Sequence, residues 1–405
     1  MAQTSTVGPK GDKIRSDLRV TYSTRRQPLS VEIKSKVLAL YGDSLKKQAE
    51  SVCRDLGVDS GKLVIEDFGA VPFVVGARIE GAIKGARPKI SEESLPPMKD
   101  FCKGTTEPGR FRRSRLYLPG NQPKLMLNAG IHRPDAIILD LEDSISPPEK
   151  ESTRFVVRNA LRSVDFFEAE RMVRINQGEL GLKDLEYVVP HNVHLVLIPK
   201  VESAEQVENI EERISEICGA CGREDPVYLM PLIETARGVM KALEIAEASL
   251  RNVALAIGLE DYSADIGTER TAEGRESFMA RSIIVNAARA AGIQAIDSVY
   301  SDVSDMEGLR SFVEDSRSLG FDGVGCIHPR QIRVIHEVHR PSEEEIKKAK
   351  EIILAYDEAR EKGFGVVSLG SKMIDPPVVK RALRTVGLAV SGGLLEKNWK
   401  GPGKS

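Results

Sequence analysis

Eight short β-rich runs, most of them separated by helical patterns, constrain this chain more than any other feature. They are Leu116–Leu118, Ala136–Glu142, Met172–Ile175, Leu195–Val201, Val227–Glu234, Val253–Gly258, Ala295–Val299 and Asp322–Ile327. Helical periodicity fills Ser203–Cys218, Thr235–Ala248, Ser277–Ala291 and Met306–Leu319. Eight buried strands alternating with helices predict a closed (β/α)8 TIM-type barrel. An open doubly wound sheet is the competing architecture. It wants a glycine-rich phosphate loop after its first strand, and Pro119-Gly120-Asn121 is not such a loop.

Around the barrel pattern the chain of 405 residues divides into further parts. Residues 1–86 read as a small α+β domain. Strands are expected at Asp17–Tyr22 and Leu29–Lys34 and a helix over Val37–Leu56, stopped by Gly57. A hairpin is expected from Leu63–Glu66 and Ala70–Val75 over Asp67-Phe68-Gly69, then a last helix over Ala77–Ile83. Residues 87–110, rich in Pro, Lys and Glu and without periodicity, read as a linker. The barrel is placed at 111–335, and 336–405 read as a helical extension ending in a mobile tail. In that extension Ser342–Lys362 is a helix capped by Pro341-Ser342, and Ser371–Val386 lies outside the barrel. The tail from Gly392 is Gly- and Lys-rich.

Composition removes several classes of function. A formal charge of −2 lacks the basic excess of a nucleic-acid binder. No apolar run approaches the roughly 20 residues of a membrane span, and the polar start Met1–Lys13 has no signal-peptide core. Five scattered cysteines, with one C-x-x-C at Cys218 and Cys221 read as a loop beside a helix end, point to a reducing cytoplasm.

In a β/α barrel the catalytic groups project from the C-terminal strand ends. Those ends carry Asp140-Leu141-Glu142-Asp143, Arg174 and Asn176, Lys200, Glu234, Glu260-Asp261 and His328. Several carboxylates at one rim beside Arg and Lys suit a hard divalent cation such as Mg²⁺ with an anionic substrate. Each acid alone could instead cap a helix or pair on the surface. His328 reads as structural, and Asp375 as the start of a helix that opens with Pro376.

At these residues the sequence resembles the citrate lyase β-subunit-like enzymes, within the wider aldolase and CoA-ester lyase group. The likeness is carried by Arg113-Ser114-x-Leu116-x-x-Pro119-Gly120, Ile138–Asp143, Val173–Asn176, Ile198–Ser203, Leu232–Gly238, Gly258–Asp261 and Ala295–Asp297. It implies Mg²⁺ on Glu234 and Asp261, Arg174 on the substrate's oxo or carboxylate end, and Arg113 at the thioester carrier. Glu142, Asp143 and Lys200 are implied around the metal and substrate. It further implies a homo-oligomer, a trimer or hexamer, in which Ser371-x-Met373-Ile374-Asp375 reaches a neighbour's site and Asp375 acts as acid or base. A citrate lyase α-type subunit is an admissible partner.

Residues 10–85 resemble the γ-subunit, the acyl carrier protein of citrate lyase, through Val31-Glu32-Ile33, Asp67–Ala70 and Ala77–Glu80. That family attaches its CoA-derived group to a serine in a G-x-x-x-S-x-D context. Here Gly11 and Asp17 match, Arg15 holds the serine's place and Ser16 follows it. Ser16 is thus the candidate attachment point, with a purely structural module as the alternative. The expected reaction is Mg²⁺-dependent retro-Claisen/aldol cleavage of a 3-hydroxy-acyl thioester, citryl-CoA or citryl-carrier, on CoA or a CoA-derived carrier. Cleavage of malyl-CoA or citramalyl-CoA is the alternative, and a non-catalytic carrier or scaffold subunit is the reading from another class.

Overall fold

The structure, a computed structural model, describes residues 3–11, 13–361, 367–369 and 372–400. The N-terminal module comprises β1 (Thr4–Val7), β2 (Leu18–Pro28), β3 (Ser30–Ser35), α1 (Leu38–Asp55), β4 (Ser60–Asp67) and α2 (Pro72–Ala86). Its sheet runs β1-β2-β4-β3, with β3 and β4 parallel and the other pairs antiparallel.

The expected hairpin after Leu63 is not formed. β4 is sandwiched between β2 and β3 and has no edge left for a returning strand. Asp67 Oδ1 accepts from the N–H groups of Gly69 and Ala70 at 3.0 and 2.9 Å, turning the chain, and Pro72 then opens α2. Phe73, Val74 and Val75, read as a strand, are the first buried turn of that helix.

Eight parallel strands follow: β5 (Ser114–Pro119), β6 (Ala136–Asp140), β7 (Glu170–Arg174), β8 (Leu195–Ile198), β9 (Tyr228–Ile233), β10 (Ala254–Ile257), β11 (Gln294–Val299) and β12 (Gly323–Cys326). They close into a barrel in which β12 pairs β5, so the expected TIM-type fold is present and the open sheet is not. Helices between them are α3 (Pro123–Met126), α4 (Lys150–Ser163), α5 (Gly178–Val188), α6 (Ala204–Cys221), α7 (Ala236–Met240), α8 (Ala242–Glu247), α9 (Leu259–Asp265), α10 (Phe278–Ala290) and α11 (Met306–Leu319). The single helix expected over Thr235–Ala248 is divided at Lys241, whose N–H is shared between the carbonyls of Arg237 and Gly238. Ile138, Met172, Leu197, Met230 and Ala256 fill the barrel, and a second apolar layer joins strands to helices. Local signals set the helix limits: Ser203 and Gln206 form a capping box for α6, and Gly222 ends it in the left-handed region, beside free Cys218 and Cys221.

Residues 87–110, expected as a linker, form a strap pinned to the barrel wall. Lys99 N–H donates to Arg162 O (3.0 Å), Cys102 is buried, and Thr106 Oγ1 donates to Glu170 (2.7 Å). After β12 come α12 (Pro329–His339), α13 (Glu343–Glu361), the short pair β13 (Val367–Leu369) and β14 (Lys372–Ile374), and α14 (Pro376–Ser391). Lys362 and Ser371, expected at element ends, lie outside the described residues. The tail expected to be mobile folds back as far as Lys400. Leu395 and Trp399 pack on the α13–α14 cluster and Lys400 pairs with Asp357 at 2.9 Å. Residues 401–405 lie outside the described residues. Among the described residues no helix is long and apolar enough to cross a membrane.

Candidate active site

The C-terminal strand ends surround a cavity of about 320 Å³, bordered by Tyr117, Asp140, Arg174, Glu234 and Asp261. Arg174, the last residue of β7, makes two parallel hydrogen bonds to Asp140 at the end of β6, both 2.7 Å. Its guanidinium carbon lies 5.5 Å from the Tyr117 ring centroid. Burial works against the Arg174 charge, but Asp140 outweighs it and raises the pKa above the ordinary range. Burial would raise Asp140, yet Arg174 and the N–H groups of Glu142 and Ser144 hold it below the usual carboxylate range. This fork fixes the cation before any substrate arrives.

Beside it the balance of charge reverses. Glu142 accepts from Gln177 Nε2 at 2.9 Å through Oε1. Its buried Oε2 lies 3.0 Å from Arg174 Nη1 but makes no hydrogen bond among the described residues. Burial raises its pKa, partly offset by Arg174. Glu234, just past β9, is buried, and burial followed by the charge of Asp261 pushes its carboxyl up to about 8. Its Oε2 accepts from Lys200 N–H at 3.1 Å. Lys200 has φ +49°, an uncommon conformation for a lysine, and this aims that N–H at the carboxylate. Gly258 leaves the space Glu234 needs, since a Cβ there would lie 2.5 Å from Oε1. Lys200 Nζ reaches Asp261 at 3.4 Å, Asp143 at 3.8 Å and Glu142 at 3.9 Å. Burial lowers its pKa and these acids more than restore it.

Glu142, Asp143, Glu234 and Asp261 therefore share Lys200 and what remains of Arg174. Such an excess of hard oxygen donors, with the Glu234 carboxyl pushed up by burial and by Asp261, fits a small divalent cation. Among the described residues no three acids, histidines or cysteines converge to hold a metal by themselves. Two carboxylates completed by water and substrate oxygens suit Mg²⁺, which usually keeps several waters.

Two expected site residues are not at this mouth. Arg113 precedes β5, at the opposite end of the barrel, where it chelates Asp135 through Nε and Nη2 at 2.8 Å and donates its backbone N–H to the same carboxylate. It borders a larger hollow of about 670 Å³ there. The resemblance expects it at the thioester carrier, whereas strand direction puts the motif's first residue at the N-terminal end of β5, away from this mouth. Asp375 caps α14, accepting from Val378 N–H at 3.1 Å. That helix packs beneath the barrel, Gly387 against Phe111 and Arg384 on Asp322, so Asp375 is not brought to the mouth of its own chain. His328 caps α12 in a capping box with Gln331, the structural role expected of it. Ser16 has φ +58° and donates its N–H to Phe68 O at 3.1 Å, while Arg15 is exposed. The reading of strand ends missed Asp140 as the partner of Arg174, and also missed Arg115 and Tyr117. These two alternate inward along β5, and a charged residue in a buried strand was the available signal.

The family profile described as HpcH/HpaI aldolase/citrate lyase matches residues 113–329. The chain belongs to this aldolase/citrate lyase family. It is a carbon–carbon lyase. Residues 11–86 match the profile described as malonate decarboxylase delta subunit, which makes the N-terminal module acyl-carrier-like. A citrate lyase subunit beta from Haemophilus influenzae is 43% identical over 286 residues, spanning 70% of this family member and 98% of the relative. The human mitochondrial citramalyl-CoA lyase is 35% identical over 292 residues, 69% of this chain and 86% of the relative. Among solved structures, Mycobacterium tuberculosis CitE in complex with magnesium, acetoacetate and coenzyme A superimposes with a TM-score of 0.54 at 32% identity, covering 68% of this chain and 98% of that one.

Proposed function

We propose that the barrel mouth cleaves the thioester citryl-CoA to oxaloacetate and acetyl-CoA in a Mg²⁺-dependent retro-Claisen/aldol step, with Glu234 and Asp261 as metal ligands. The observation that carries this is a pre-set cation, Arg174, across one small cavity from two carboxyls, Glu234, which burial and Asp261 push up to about 8, and Asp261, which has Lys200 at 3.4 Å. The citrate lyase and CoA-ester lyase relatives support the substrate class. When bound, Mg²⁺ supplies Lewis-acid polarisation of the substrate's hydroxyl and carboxylate oxygens. The carbinol hydroxyl gives its proton to a carboxylate of the rim as it becomes an oxo group, and Arg174, which lines the same cavity, neutralises charge gathering on that oxygen. The C–C electron pair passes to the thioester's α-carbon, leaving an acetyl-thioester enolate. Protonation of that carbon completes the reaction. Glu142, Asp143 and Lys200 orient the ligands and hold the rim.

Asp375 is assigned the proton donor's role from a neighbouring subunit of a trimer or hexamer. Because it lies beneath its own barrel, this role requires a site shared between chains. Mixed oligomers of Arg174→Ala and Asp375→Asn test this: each variant alone is inactive, and the mixture regains activity only if sites are shared.

A thioester of free CoA, rather than a covalent carrier, is favoured by Arg15 at the attachment position and by the way the module is held. Asp17, which should follow the attachment serine, is buried in an ion pair with Arg78 at 2.8 Å, and Arg78 also donates to Asn121 O of the barrel at 3.1 Å. Ser16 is therefore predicted to be unmodified. Intact mass of the native protein reads this directly, and a covalent CoA-derived group would restore the carrier reading. A panel of citryl-, malyl- and citramalyl-CoA with Mg²⁺ tests the reaction. Citryl-CoA is expected to be cleaved fastest, with activity lost in EDTA. No cleavage of any of the three would overturn the proposal.

A further inference from the structure

The barrel interior holds one cation that no described carboxylate balances. Arg115 points inward from β5, is 1% exposed and borders the cavity at the mouth. Its Nη2 donates to the backbone carbonyl of Asp297 at 3.1 Å and its Nη1 to the Met230 thioether at 3.3 Å, and its Nε has no partner among the described residues. The Asp297 carboxylate is already engaged, accepting from Arg281 at 2.6 and 3.0 Å and from Ser298 N–H at 2.9 Å.

Other buried arginines of this molecule are treated differently. Arg78, Arg112, Arg154, Arg158 and Arg281 each meet a carboxylate at 2.6–2.8 Å. Arg171, which has none, is satisfied by the carbonyls of Gly104 and Asn192 and by His194. A desolvated guanidinium with an unused N–H and a thioether for company is costly to keep, and packing alone would be served better by an apolar side chain. The cost is recovered when an anion enters the cavity above it.

We propose that Arg115 is a specificity residue that receives a second carboxylate on the oxo-acid half of the substrate. The proposal rests on the lyase reading above and deepens it. Substrates of this reaction type differ at one substituent of the carbinol carbon. Citryl thioesters carry a carboxymethyl group there, citramalyl thioesters a methyl and malyl thioesters a hydrogen. Only the first places an anion one methylene away from the reacting centre, toward the cavity floor. Arg174 and the carboxylate pair serve the groups common to all three, and Arg115 serves the one that differs. A site that pairs a buried charge rejects the analogue lacking its partner far more strongly than an apolar pocket rejects a missing methylene.

The test compares wild type with Arg115→Met and Arg115→Lys by two readouts. In turnover, Arg115→Met should lower kcat/KM for citryl-CoA by about 100-fold, mainly through KM, and leave citramalyl-CoA within a few-fold of wild type. Arg115→Lys should recover part of the citryl preference. In binding, calorimetry with Mg²⁺ should show wild type holding oxaloacetate at least ~10-fold tighter than pyruvate, and Arg115→Met losing that preference. If both thioesters are cleaved but their ratio is unmoved in Arg115→Met, the specificity role is overturned and the lyase reading stands. If no thioester is cleaved, the lyase reading fails while the oxaloacetate–pyruvate preference still decides for or against Arg115. Should Arg115→Met not fold, wild-type binding decides: equal affinity for the two oxo acids overturns the proposal.

Discussion

Two clusters of buried charge, one at the seam between the N-terminal module and the barrel and one at the barrel mouth, use the same residue types to opposite ends. At the seam, Glu80 of α2 and Arg158 of α4 are both 0% exposed and joined by bonds of 2.6 and 3.2 Å, and Arg158 also takes Glu93 of the strap at 2.9 Å. Asn159 Nδ2 donates to Phe73 O across the same contact, and Gly81 admits Phe155, 3.4 Å from where a Cβ would stand. Lys84 adds a second cation at 3.1 Å from Glu80, so the two acids there are matched by two cations. At the mouth, acids outnumber cations and Glu234 rises to about 8 because burial and Asp261 both oppose its charge. Paired buried charge specifies how two parts of the chain dock. Unpaired buried charge is kept where something else must bind.

The largest loss is expected at the mouth. Glu234→Gln or Asp261→Asn should reduce Mg²⁺-dependent cleavage by about 10³-fold or more, ~4 kcal/mol of transition-state stabilisation, with thermal stability retained. Near-wild-type turnover in either variant would sink the metal assignment. At the seam, Arg158→Met leaves buried Glu80 with Lys84 as its remaining cation, at 3.1 Å, and should cost roughly 3 kcal/mol in denaturant unfolding. The kcat of the protein that remains folded should not change, since no seam residue borders the cavity.

The pH response sharpens the contrast. Glu234 has a folded pKa of about 8 against an ordinary 4.5, so its contribution to stability is complete below about 4.5 and is lost as pH rises through about 8. Metal-free protein should therefore melt progressively lower from pH 5 to 8.5, and Glu234→Gln should flatten that slope. By the same linkage Mg²⁺ binding at pH 7 should release about one proton, readable by calorimetry in buffers of differing ionisation enthalpy. The smallest effect is expected from Gly258→Ala. The added Cβ must displace Glu234, weakening Mg²⁺ about tenfold, ~1.4 kcal/mol, with unfolding little changed.

Much of this was legible along the chain because it depends on local pattern. Apolar runs alternating with helical periodicity required a β/α barrel, and strand direction then put Glu142, Lys200, Glu234 and Asp261 on one rim. The module's hairpin was misread for a related reason. Ala70–Val75 is apolar enough for either element, and only the filling of both edges of β4 chose the helix.

Periodicity and strand polarity are properties of neighbours in the chain, so the barrel and the chemical groups at its mouth were written in the sequence. The tertiary structure alone decided the pairings. It sent Arg113 to Asp135 at the far end, gave Arg174 to Asp140, turned the Asp297 carboxylate away from Arg115, and bound Arg158 to Glu80 across 78 positions. Burial and counter-charge arise between residues distant in sequence, and they make one buried ion a seam and another a site.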